Sequence, residues 1–124
     1  MTAQLIACII YAIGSLESGN NPHVHDNGKS AGMYQIKPCF VQQVNREHGT
    51  HYTLQDRRNP VKAREMIGLW LSQFTDKDSV EEVALRYTAG QSGWLRATAE
   101  QREYAECARN IVEAKLKQQY KTKE

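Results

Sequence analysis

The chain has 124 residues, 40% of them hydrophobic and 24% charged, and a formal net charge of +2. That length specifies one domain, which buries about two-thirds of its unfolded surface and can stand alone. The balance is that of an ordinary globular protein, and so small a net charge gives no basis for binding nucleic acid.

Helix one is predicted from Thr2 to Ser18, because Leu5, Ile6, Ile9, Ile10, Ile13 and Leu16 recur at helical spacing. The run from Leu5 to Ile13 is too short to span a bilayer, so no membrane insertion is expected. With no Lys or Arg before it, the run also reads as a packed helix and not as a signal-peptide core. Gly19, Asn20 and Asn21-Pro22 stop the helix. The loop from His23 to Lys29 holds Asp26-Asn27-Gly28, a turn signal, with at most a small β or irregular segment over 26–34.

A second helix starts at Pro38 and ends at His48-Gly49, burying Phe40, Val41 and Val44. A polar loop from Thr50 to Arg58 then leads to Asn59-Pro60, read as N-cap and first helical residue. Helix three carries the apolar stripe Ala63, Met66, Ile67, Trp70, Leu71 and Phe74. Capping boxes at Ser79–Glu82 and Thr98–Gln101 open helices four and five. The domain is assigned to residues 1–118, with a Lys-rich, solvated tail over 119–124. The fold class is therefore mainly α, with about five helices.

Cys8, Cys39 and Cys107 are odd in number and widely spaced, which argues against a disulfide framework or a zinc site. They read as buried small hydrophobes. His23, His25, His48 and His51 lie on loops and helix ends that nothing directs toward one point, so no metal is expected.

Glu17 is the residue of most chemical interest. It extends the row of Ile10 and Ile13, which sets its carboxylate beside the apolar face of helix one, next to a polar loop. Apolar neighbours raise a carboxyl pKa, and a carboxylic acid so held is a general acid. The competing reading is a solvated glutamate in a C-terminal turn, where the helix dipole disfavours it. Asp26 is the candidate second carboxylate; its competing reading is an Asx-turn residue supporting Asn27-Gly28.

Glu17-Ser18, Asn21-Pro22, Gly32-Met-Tyr-Gln-Ile-Lys-Pro38 and Tyr87-Thr-Ala-Gly90 occur in an order that resembles the lysozyme-like lytic transglycosylases of the soluble (SLT) type, in a form also found in bacteriophages. The step of fifteen residues from Glu17 to Gly32 matches that family's spacing. Val44-Asn45-Arg46 and Lys62-Ala-Arg-Glu-Met66 resemble the phage-type members. Thr88 and Arg86 depart from the Asn and Ala of the family's Ala-Tyr-Asn-Ala-Gly, Gly-Leu-Met-Gln is Gly32-Met-Tyr-Gln35, and Asp26 stands where many relatives have Ser.

The resemblance implies a lysozyme-like domain with a cleft, cleaving the β-1,4 bond between N-acetylmuramic acid and N-acetylglucosamine in peptidoglycan. It implies Glu17 as acid, then as base on the C6 hydroxyl, giving a 1,6-anhydro product with no cofactor. Ser18, Met33, Tyr34, Gln35, Tyr87, Thr88 and Tyr104 are the implied substrate-binding positions. Gln35 would act through hydrogen bonds and Met33 through the acetamido methyl. Tyr34, Tyr87 and Tyr104 have packing as an equal alternative, and Ser18 has helix capping. Trp94 reads as a sugar-stacking residue and Trp70 as core.

Two alternatives stand beside this reading: a hydrolytic muramidase using Asp26, and an inactive glycan-binding or virion structural module. The expected partners are peptidoglycan strands, with other phage or wall-lysis proteins as candidates. The expected site of action is the bacterial wall, in the periplasm, outside the cell or on a virion, reached by a route other than a signal peptide.

Overall fold

Helix one ends because two consecutive residues adopt left-handed backbone conformations, Gly19 at φ 66° and Asn20 at φ 58°. The Ser18 hydroxyl accepts the Asn21 N–H at 3.1 Å, and the Asn21 side chain accepts the His23 N–H at 2.9 Å. The computed structural model describes the backbone of residues 1–123 and the side chains of residues 1–119. Among the described residues there are five α-helices: α1 (Ala3–Ser18), α2 (Pro38–His48), α3 (Pro60–Leu71), α4 (Val80–Ala89) and α5 (Ala99–Lys123). Short 3₁₀ turns occupy Leu54–Arg58 and Trp94–Arg96. The mainly α class read from periodicity is the observed one.

The chain forms two compact units. The first comprises Met1–Leu16 and the chain from Phe74 onward. Its core holds Ile9 and Ile13 from α1, Val83 from α4 and Val112 from α5, each at most 2% exposed. Helices α4 and α5 pack against each other. Ser79 accepts the Glu82 N–H at 3.1 Å to cap α4. The capping box at α5 is reciprocal: Thr98 N–H donates to Gln101 at 2.9 Å, and Gln101 N–H to Thr98 at 3.1 Å.

One expectation in this unit is corrected, that of Phe74 on helix three. The Lys-rich tail expected over 119–124 is helical as far as Lys123, and the side chains beyond 119 lie outside the described residues. Contacts with α1 explain the extension: Lys115 lies 4.0 Å from the Tyr11 ring centroid, and Gln4 hydrogen-bonds Gln119. Phe74 is buried but stands outside helix three, which ends at Leu71, and packs beneath the Arg86 guanidinium at 5.5 Å.

The second unit comprises Glu17–Gln73. Pro60 opens α3 behind Asn59, whose side chain accepts the N–H groups of Val61 at 3.0 Å and Lys62 at 3.2 Å. Tyr34, Ile36, Val44, Met66, Ile67 and Leu71 are its most buried large side chains. Trp70 is core as expected, 2% exposed, with its ring 5.7 Å from that of Phe40.

The cysteines divide. Cys8 is buried, and burial raises its thiol pKa against a smaller opposing pull from Lys115. Cys39 is exposed in the first turn of α2 and Cys107 is half-buried on α5, so burial holds for one of the three.

Candidate functional site

Glu17 sits in the last turn of α1, one turn beyond the buried Ile13, and is half-buried. The amphipathic row that carries it thus ends at the boundary between apolar core and accessible surface.

Downstream, the segment over 26–36 is two stacked turns and not a sheet. Asn27 and Ser30 exchange backbone hydrogen bonds of 3.1 Å around Gly28, which stands at φ 62°. Ala31 and Ile36 exchange a second pair, at 3.1 and 3.0 Å, around Gly32-Met-Tyr-Gln35. Gly32 is at φ 79° and Gln35 at φ 49°. Left-handed backbone is easy for glycine and costs a glutamine about 1 kcal/mol or more, so surrounding contacts must hold Gln35 there.

Its own side chain supplies some of them. The Gln35 amide donates to the Gly32 carbonyl at 2.8 Å and, more weakly, to that of His25 at 3.4 Å, while its oxygen accepts the Asn27 N–H at 3.2 Å. These bonds brace the two turns. Met33 is 8% exposed, and Tyr34 is a core residue at 1%. The Ser18 hydroxyl accepts the Asn21 N–H.

Asp26 accepts a hydrogen bond from the Arg58 guanidinium and forms an ion pair with it. That bond holds the Asp26 carboxyl below its usual value, against some desolvation; the Arg58 charge, the Gly32 N–H and the Arg57 charge add to the lowering. Asp26 therefore stays ionised through the neutral range.

Arg57 and Arg58 were not legible as site residues, because they fall in what reads as a polar loop. The structure orders that loop. Thr53 and Asp56 form a capping box, with Thr53 N–H donating to Asp56 at 2.8 Å. Asn45 braces the preceding residues, accepting from Thr50 at 2.8 Å and Tyr52 N–H at 2.9 Å. Arg57 is 7% exposed, and its guanidinium donates to three backbone carbonyls: Leu54 at 2.8 Å, Lys29 at 2.7 Å and Ile36 at 3.0 Å. The spacing Thr53-x-x-Asp56 was the available signal.

In the other unit, Tyr87 and Thr88 occupy the last turns of α4 and Tyr104 the second turn of α5, all half-buried. The Arg86 guanidinium lies 4.6 Å from the Trp94 ring centroid and pairs with Glu82 at 3.6 Å. Trp94 lines a groove of about 530 Å³ with Glu81, Leu85, Arg102 and Arg109. Among the described residues no three His, Cys, Asp or Glu side chains converge to hold a metal ion. No helix among them is long and apolar enough to cross a membrane.

Among the described residues the architecture is helical, and the first helix ends in a half-buried glutamic acid. The chain belongs to the transglycosylase SLT domain family, whose model matches residues 3–110. That family comprises peptidoglycan lytic transglycosylases, so the chain is an enzyme of peptidoglycan. No curated protein and no solved structure matches it significantly.

Proposed function

We propose that the chain cleaves the β-1,4 bond between N-acetylmuramic acid and N-acetylglucosamine, with Glu17 as the acid and then the base. The observation that carries this reading is the half-buried position of Glu17 at the end of an amphipathic helix, in a chain of this family. Protonation of the glycosidic oxygen by Glu17 releases the leaving sugar and builds oxocarbenium character at C1. The carboxylate so formed takes the proton of the C6 hydroxyl as that oxygen bonds to C1. The 1,6-anhydro ring closes without water, and Glu17 regains its proton. Met33, Gln35, Tyr87, Thr88 and Tyr104 are the proposed sugar-contacting positions, and the bacterial wall is the proposed place of action.

Asp26 supports the hydrolytic alternative less well. A carboxylate occupied by Arg58 and the Gly32 N–H, with a lowered pKa, is a weak base toward water.

Digestion of purified peptidoglycan, with mass analysis of the products, tests both points. The expected muropeptides are one water lighter than reducing-end products; reducing ends would make the enzyme a hydrolase. Glu17→Gln is expected to fold and to lose about 10²–10⁴-fold in rate, the usual worth of a positioned acid/base. Retention of more than about a tenth of the activity would put the acid elsewhere.

A further inference from the structure

We infer that Arg57 is a positioning residue for glycan binding, its guanidinium fixing the shape of the turn Ala31–Ile36 that presents Met33 and Gln35. The inference rests on the proposed function for its substrate, and on independent geometry for its mechanism. A guanidinium that is nearly buried needs partners for its donors, and Arg57 places three of its five N–H groups on carbonyls from three places in the chain. Leu54 anchors it to its own 3₁₀ turn, while Lys29 and Ile36 lie 28 and 21 residues away. Lys29 is in the first turn of the segment and Ile36 closes the second, so one planar cation sets their separation.

The turn it grips is strained and tightly fitted. Gln35 is held at φ 49°, a conformation that persists only where the surroundings over-determine it. A Cβ on Gly32 would stand 1.9 Å from the Arg57 carbonyl oxygen, so the backbone of Arg57 supports the turn where its side chain ties it. Arg58 pins Asp26 just ahead of the same segment. Nη1 meets both the Lys29 and Ile36 carbonyls while Nε holds Leu54, so a lysine at 57 would keep the charge but lose the Nε anchor and the planar spacing between the two nitrogens.

The test separates positioning from folding and from catalysis. Retention of the protein on purified, insoluble peptidoglycan is measured in the Glu17→Gln background, with and without Arg57→Lys or Arg57→Ala, and folding is checked by circular dichroism. Positioning predicts that folded Arg57 variants lose about tenfold or more in retention; with Glu17 intact, the loss appears in KM while kcat changes less than about threefold. It also predicts that millimolar ethylguanidinium restores binding to Arg57→Ala, whereas a merely destabilised protein gains nothing from it. Should Arg57→Ala fail to fold, Arg57→Lys decides alone. Folded variants with native retention and native KM overturn the inference. An active Glu17→Gln protein would instead overturn the assignment of the acid, and leaves the retention comparison valid.

Discussion

Gly32 and Gly28 stand four residues apart in similar left-handed backbone, at φ 79° and φ 62°, yet their surroundings differ. A Cβ at Gly28 meets nothing within 4 Å, whereas one at Gly32 would overlap the Arg57 carbonyl. Gly28→Ala is therefore expected to cost only the left-handed penalty, about 1–2 kcal/mol. Gly32→Ala adds a backbone displacement and is expected to cost more than about 3 kcal/mol, above the usual range for a single substitution. Urea denaturation of the two variants measures the difference, and equal losses would contradict the tight fit. The same residues show why Gln35 was ambiguous in the sequence. An amide in a turn can serve a ligand or the turn itself, and only the fold brings Asn27 and His25 within its reach.

At the scale of elements, the caps carry local stability that periodicity cannot supply. Asn59 satisfies two N–H groups at the start of α3, so Asn59→Ala is expected to destabilise by about 1 kcal/mol with an unchanged denaturant slope. Replacing Glu81, whose partner Arg109 sits across α4 and α5 with both side chains 42% exposed, is expected to change stability by less than about 1 kcal/mol. A larger effect from Glu81 than from Asn59 would reverse this ranking. The helix starts and stops were legible because caps and glycines act within four residues. The length of α5 was not, since Lys115 and Gln119 are held by side chains from α1, far away in sequence.

For the molecule as a whole, acid is the condition that tests its electrostatics. Asp26, Asp56 and Asp78 all have carboxyls lowered below the ordinary 3.8, their largest causes being the Arg58 hydrogen bond, the Thr53 N–H and the Thr75 N–H respectively. A lowered folded pKa means that the unfolded chain binds protons first. The stabilisation is thus complete above about pH 4 and drains away as pH falls through the lower folded values. Denaturation midpoints are expected to stay level from about pH 7 to 5 and to fall below about pH 4, with a shallower fall when Asp26 and Asp56 become Asn. A flat profile in acid would remove these three groups from the stability of the fold.

The sequence by itself determined the helical class, most helix boundaries and the candidate acid. Apolar periodicity, caps and the placement of Glu17 at a helix end are all short-range properties of the chain. The tertiary structure alone decided that Arg57 is buried, that Asp26 is tied to Arg58, and that Gln35 braces its own loop. Each of those includes a contact between groups eight to thirty-two residues apart that meet within about 3 Å, the range over which a hydrogen bond acts. Proximity of that kind is set by packing, and no local pattern of residues encodes it.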